Sequence, residues 1–254
     1  MKTYNVIFRK DKISNDIANT ICERLGNQRR DLNNPSTVFV VGGDGTFLTA
    51  VHQYIDQLDT CEFVAIHTGT LGFFTDFRAQ EIEECITCFL DSEPIIQTMP
   101  LLLTNINGKS YYAVNEMRIE NVFKTQLIDV YINEHFLETF RGTGLCVSTQ
   151  LGSTAYNRSL KGAIIADGLN LIQLTEITGI HHREFRSLDS SLVLPADTKI
   201  TLIGNDFDQA VMCYDHKTVQ VAANLKIECQ LADKMIRFAR YKQISYFDRL
   251  KSLF

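Results

Sequence analysis

Five residues, Gly42-Gly43-Asp44-Gly45-Thr46, combine the parts needed to hold a phosphate and to move a proton. Glycines let the backbone approach an anion without a Cβ in the way, and N–H groups at a helix start point at its charge. A carboxylate amid such amides is a poor phosphate ligand, because like charges repel. Asp44 therefore reads as a general base for a hydroxyl, or as the partner of a phosphate-bound metal. Glycine turns after strands also serve purely structural ends. This string is neither the dinucleotide pattern G-x-G-x-x-G nor the P-loop G-x-x-x-x-G-K-[ST].

Two later stretches carry further chemistry. Val114-Asn115-Glu116 places an amide and a carboxylate after a strand, a pairing that by itself commonly marks a solvated turn. Ser148-Thr149-Gln150-Leu151-Gly152-Ser153-Thr154-Ala155-Tyr156-Asn157-Arg158-Ser159 is rich in hydroxyls and amides. It reads either as a polar turn capping a helix or as a nucleotide pocket with Tyr156 as an aromatic wall. Cys85-Ile86-Thr87-Cys88 is a lone CxxC inside a charged helical stretch, which favours helix cysteines over a zinc or redox site.

The elements that must position these residues change character along the chain. Tyr4 to Phe8 reads as a strand, and Ile13, Ile17, Ile21 and Leu25 follow at helical spacing, with Ser14 or Asn15 as N-cap and Gly26 as stop. Thr37 to Val41 reads as a buried parallel strand, and Thr46 opens a helix carrying Phe47, Leu48, Val51 and Tyr54. A third strand, Phe63 to His67, ends in a second glycine turn, Thr68-Gly69-Thr70-Leu71-Gly72-Phe73-Phe74, before a helix from about Arg78 to Leu90. Alternating strands and helices make a parallel α/β sheet, with ligands beyond the carboxyl ends of the strands. After Asp91-Ser92-Glu93-Pro94 short extended runs dominate, with hairpin signals at Asn107-Gly108 and Asn133-Glu134. The expected organisation is an α/β domain over 1–97, a β-rich, mostly antiparallel domain over 98–235, and a tail over 236–254 packing back on the first.

Composition sets the bounds. The 254 residues are 45% hydrophobic and 22% charged, as in an ordinary soluble globular protein. A net charge of −5 disfavours a nucleic-acid partner. No apolar stretch suits a signal peptide or a membrane span, so the expected location is cytoplasmic. Seven dispersed cysteines agree with free thiols in a reducing compartment.

GGDGT is shared by NAD kinases and diacylglycerol-type lipid kinases, with a similar GGDGS in 6-phosphofructokinases. The further strings separate these. GGDGT at Gly42–Thr46, TGTLGF at Thr68–Phe73, NE at Asn115–Glu116 and GSTAYN at Gly152–Asn157 occur together in one order, and the chain from about Tyr4 to Val221 resembles the bacterial NAD kinases, in particular those of Gram-positive bacteria. The resemblance implies an NAD kinase/diacylglycerol kinase-like α/β domain followed by a β-rich one. It implies transfer of the γ-phosphoryl of ATP, or of polyphosphate, to the adenosine ribose 2′-hydroxyl of NAD, with Mg2+ or another divalent cation. By the same likeness Asp44 is the base, and Gly42, Gly43, Gly45 and Thr46 bind nucleotide phosphates. The NAD-binding set is Asp44, Gly45, Phe73, Asn115, Glu116, Thr154, Ala155, Tyr156, Ile180 and His216, with Glu116 on ribose hydroxyls and Asn115 on adenine. The family implies a homotetramer with sites near the domain boundary, completed by a neighbouring subunit. No metal ligands are assigned.

The sequence departs from the family at Gln150 and Leu151, where a proline and a hydroxyl are usual. It departs again at Thr143, in place of an aspartate on the nicotinamide side, at Lys161, in place of a small residue, and at Asp167, where His-Pro is frequent. A lipid kinase would need a membrane-facing surface that is not evident. A non-catalytic NAD(P)-binding sensor would be expected to lack Asp44 or Glu116, and both are present.

Overall fold

The computed structural model describes residues 2–69, 72–180, 187–204 and 206–253. Thr70 and Leu71 of the second glycine turn lie outside the described residues. The chain forms two compact units, Met1–Met99 together with Lys234–Phe254, and Pro100–Asp233. Among the described residues no helix is long and apolar enough to cross a membrane.

The first unit begins β1 (Tyr4–Phe8), α1 (Lys12–Leu25), β2 (Thr37–Gly42), α2 (Asp44–Gln53), β3 (Glu62–His67), β4 (Phe77–Arg78) and α3 (Ile82–Asp91). β1, β2 and β3 pair in parallel, with Phe8 opposite Val41 and Gly42 opposite His67. That register brings the residues after all three strands to one sheet edge, where a parallel sheet places its ligands. β2 is buried throughout, which explains its unbroken apolar run.

The helices refine the expected boundaries. α1 is capped by Asp11, whose carboxylate accepts the Ser14 N–H at 3.0 Å, rather than by Ser14 or Asn15. Ile17, Ile21 and Leu25 face the core, while Ile13 is exposed. α2 starts at Asp44, two residues before the expected Thr46, because extended Gly43 acts as N-cap and its carbonyl accepts the Phe47 N–H at 3.1 Å. α3 starts later than Arg78, after a 3-10 turn over Ala79–Glu81.

The second unit contains most of β5 (Ile95–Ile106), then β6 (Lys109–Ala113), β7 (Glu116–Glu120), β8 (Gln126–Ile132), β9 (His135–Thr149), the single-turn α4 (Tyr156–Ser159), β10 (Leu171–Gly179), β11 (Leu192–Pro195), β12 (Ile200–Gly204), β13 (Val211–Tyr214), β14 (Lys217–Gln220) and the first half of β15 (Leu225–Arg240). Its pairings are antiparallel: β8 and β7 on β9, β10 on β9, β12 on β8 and β15, and β13 on β7 and β14. Asn107-Gly108 and Asn133-Glu134 make the expected hairpins, all four residues at positive φ. β9 runs unbroken from His135 to Thr149, continuing through Gly142 and Gly144. Met117, Ile119, Phe140, Leu145, Val147, Leu202 and Met212 belong to the unit's core.

The chain then returns to the first unit. Phe238 of β15 pairs in parallel with Phe63 of β3, and α5 (Tyr246–Lys251) follows, N-capped by Ser245. Phe238 stacks on Phe47 of α2, with ring centroids 5.1 Å apart, and Phe47 stacks on Phe74 at 4.7 Å. This aromatic column anchors the first turn of α2 at Phe47, three residues after Asp44.

Candidate active site

The glycine turn joins a buried strand to a helix N-terminus within six residues. A Cβ on Gly42 would lie 2.3 Å from Thr46 Oγ1, so the strand can meet the helix this closely only with glycine there. The first turn of α2 faces a cavity of about 490 Å3 lined by Arg9, Gly43, Gly45, Thr46 and Thr49 among others. Amides at a helix start together with a nearby cation suit an anion. Arg9 was missed from sequence. Its signal is faint, one of three cations (with Lys10 and Lys12) after the apolar run of β1, and only the parallel register brings it to the turn, its N–H donating to Val41 O at 2.9 Å. Its guanidinium pairs with Asp11 and reaches Thr68 Oγ1 at 3.4 Å.

Asp44 heads α2. Its Oδ2 accepts the Phe73 N–H at 3.0 Å and its Oδ1 the Phe74 N–H at 3.2 Å. Gly72 makes this approach possible, because a Cβ there would fall 2.4 Å from Oδ1. Burial raises the carboxyl above its ordinary range, opposed by the two amides, by the Arg249 guanidinium and by His67. Two amides occupy two of about four acceptor positions on a carboxylate, leaving room for a hydroxyl. A raised, fixed carboxylate with spare acceptor capacity has the properties of a general base. Phe73 itself is buried, its ring edge-on to Tyr246 at 5.7 Å.

In the second unit Asn115 and Glu116 are buried rather than solvated, 8% and 5% exposed. The device that holds them is Asp215, which sequence reasoning passed over as the neighbour of His216. Its carboxylate accepts the Val114 and Asn115 N–H groups, each at 2.8 Å, and its own N–H donates to Glu116 O at 3.0 Å. Burial, and then the Asp215 carboxylate, push the Glu116 carboxyl up to about 8. His216 is exposed on the turn between β13 and β14.

The hydroxyl-rich stretch follows β9 as a 3-10 turn, Leu151–Thr154, and then α4. Gly152 lies against the backbone of Asn115, and a Cβ there would meet Asn115 O at 1.9 Å. Several hydroxyls expected to read a base are engaged in shaping the turn: Thr149 Oγ1 donates to Val114 O at 2.7 Å, Ser153 Oγ to Gln150 O at 2.6 Å and Thr154 Oγ1 to Leu151 O at 3.1 Å. Tyr156 is half-buried with the Arg118 guanidinium 3.9 Å from its ring centroid. Ala155 adjoins it. Ile180, just after β10, is 39% exposed, its N–H donating to Arg141 O at 2.8 Å. Around this turn five buried polar atoms have no hydrogen-bond partner among the described residues: Asn115 Oδ1, Glu116 Oε2, Ser148 Oγ, Gln150 Oε1 and Asn157 Nδ2. Buried polar atoms are ordinarily satisfied, so such a concentration marks where a polar ligand completes the site. Lys161 stands at φ 66, a left-handed conformation that glycine adopts without strain.

Gly42, Gly43, Asp44, Gly45, Thr46 and Phe73 thus gather in the first unit, and Asn115, Glu116, Thr154, Ala155 and Tyr156 around one turn of the second. Among the described residues no group of three or more His, Cys, Asp and Glu could hold a metal ion, and Cys85 and Cys88 are free thiols.

Residues 8–93 match the family described as ATP-NAD kinase N-terminal domain, and residues 114–241 the family described as ATP-NAD kinase C-terminal domain. The chain is 39% identical over 245 residues to an NAD kinase of Lactobacillus gasseri, covering 91% of this chain and 90% of that protein. It is 36% identical over 261 residues to an NAD kinase of Geobacillus stearothermophilus, covering 98% and 96%. Among solved structures, an Archaeoglobus fulgidus NAD kinase in complex with ATP superposes with a TM-score of 0.79 at 20% identity, over 100% of this chain and 98% of that one. A yeast NADH kinase complexed with NADH gives 0.83 at 18% identity, over 100% and 86%. These structural likenesses establish the fold.

Proposed function

The chain belongs to the ATP-NAD kinase family, and from that premise we propose how its residues make NADP. The reaction transfers the γ-phosphoryl of ATP to the adenosine ribose 2′-hydroxyl of NAD. The hydroxyl oxygen bonds to phosphorus, the bond to the β-phosphate oxygen breaks, and ADP leaves. Asp44 accepts the hydroxyl proton. The observation that carries this reading is the Asp44 carboxylate, fixed by two amides beside the glycine turn and raised by burial.

Gly42, Gly43, Gly45 and Thr46 hold nucleotide phosphates at the α2 start, and Arg9 adds positive charge. Glu116 bonds the ribose hydroxyls and Asn115 the adenine edge, which would satisfy their orphaned oxygens. Phe73, Thr154, Ala155 and Tyr156 complete the NAD contacts, with Ile180 and His216 at its margin. Phosphoryl transfer of this kind is mainly positioning and charge stabilisation. A divalent cation, Mg2+, would supply charge neutralisation on the phosphates. The described residues offer no cage for it, so it would arrive with the nucleotide. Use of polyphosphate, a homotetramer and a cytoplasmic location belong to the same proposal, the last supported by seven unpaired cysteines.

The test is NADP formation from NAD, ATP and Mg2+, followed with an NADP-specific dehydrogenase, beside Asp44→Asn. The base role predicts turnover lowered about 10²–10⁴-fold with NAD binding retained. Tight NAD binding by the native protein without turnover would instead favour a sensor.

A further inference from the structure

We propose that Arg249, in α5, is a positioning residue for Asp44, acting through the backbone of the loop that holds the Asp44 carboxylate. The inference rests on the reading of Asp44 as the base.

The geometry is continuous. Arg249 Nη1 donates to Phe73 O at 3.2 Å and to Thr75 O at 2.6 Å. The Phe73 carbonyl belongs to the same peptide group as the Phe74 N–H, which donates to Asp44 Oδ1 at 3.2 Å. A peptide group is planar and rigid, so pinning its carbonyl fixes the direction of its N–H. A guanidinium on that carbonyl also polarises the N–H toward the carboxylate. Arg249 therefore reaches Asp44 through one peptide unit.

A second arginine closes the other side. Arg240 Nη1 donates to Phe74 O at 3.1 Å and to Asp76 Oδ1 at 2.8 Å. Arg249 Nη2 pairs with the same Asp76 oxygen. Both Arg249 and Asp76 are buried, 6% and 4% exposed, so neither charge is a surface ornament. Three consecutive carbonyls, those of Phe73, Phe74 and Thr75, are thereby held by two guanidinium groups. Arg249 spans two of the carbonyls and a carboxylate with its planar fork, which an ammonium cannot reproduce. A purely structural clamp could sit anywhere in the loop; this one grips the peptide that touches the base.

The experiment compares full-length Arg249→Lys and Arg249→Ala with the native protein and with Asp44→Asn, reading kcat, KM for NAD, thermal midpoint and the pH dependence of kcat. The expected result for Arg249→Lys is a fall in kcat of about tenfold to a hundredfold with KM for NAD nearly unchanged. In Arg249→Ala the acid limb of the kcat profile should also move to higher pH, because the carboxylate loses a nearby cation and a fixed donor. If the alanine variant does not fold, the lysine variant decides. Native kcat and pH profile in a folded Arg249 variant would overturn the proposal. So would a lowered thermal midpoint with kcat and its pH profile unchanged. Loss of turnover in Asp44→Asn but not in the Arg249 variants would sink this inference alone. Full turnover in Asp44→Asn would sink the reading of the base.

Discussion

The Asp44 carboxylate lies where a side chain on Gly72 would be: a Cβ there would fall 2.4 Å from Oδ1 and 3.0 Å from Cγ. Asp44 and the loop opposite it are thus packed backbone to carboxylate. Gly72→Ala must push Asp44 off its two amides or displace the loop. The expected outcome is a fall in kcat of about a hundredfold, because small misplacements of a reacting group are costly. KM for NAD should change far less, and steady-state kinetics on a folded variant would show that split.

Asp215 offers one oxygen to each of two buried amides. Asp215→Asn keeps the shape but has a single acceptor oxygen, so the Val114 or the Asn115 N–H loses its partner. A stability loss of about 1–3 kcal/mol is expected from the unsatisfied donor. KM for NAD should rise about tenfold with kcat largely kept, since the role proposed for the Asn115–Glu116 segment is binding rather than reaction. Denaturant unfolding and kinetics together check this.

Glu116 makes stability depend on pH with a defined sign. Its carboxyl is raised from about 4.5 to about 8 in the folded chain, so between those values the folded state holds a proton that the unfolded state has released. Stability therefore falls as pH rises through that window. Glu116→Gln should flatten the fall in thermal midpoint between pH 5 and pH 8. An unchanged slope in the variant would rule out Glu116 as its source.

Local chemistry was legible in the sequence and distant partnerships were not. Strand, glycines and helix around Asp44 follow from composition within a dozen residues, and the two-residue hairpins at Asn107 and Asn133 from their own left-handed preference. The alternation of helices and strands followed by a β-rich half gave the fold class, which the matching families share. Strand β7 escaped notice because Asn115-Glu116 resembles a solvated turn, and only Asp215, some hundred residues away, makes burial of that turn affordable in hydrogen bonds. β10 was missed although Asp167-Gly168, with Gly168 at φ 82, marks a turn just before the strand-like run Leu171 to Gly179. Arg9 and Arg249 carry no motif. Each gains its place from a neighbour supplied by the fold: the turn beside β1 for Arg9, the 73–76 loop for Arg249.

The loop that holds the Asp44 carboxylate and the arginine that grips it are 176 residues apart in the chain. At about 5–20 residues per second, a ribosome makes Arg249 roughly 9–35 s after it makes Phe73. At the start of that interval the nascent chain already carries the glycine turn and Asp44, and the adenosine-side residues are added during it, all before the clamp. The grip on Asp44 is therefore synthesised after both Asp44 and the adenosine-side residues.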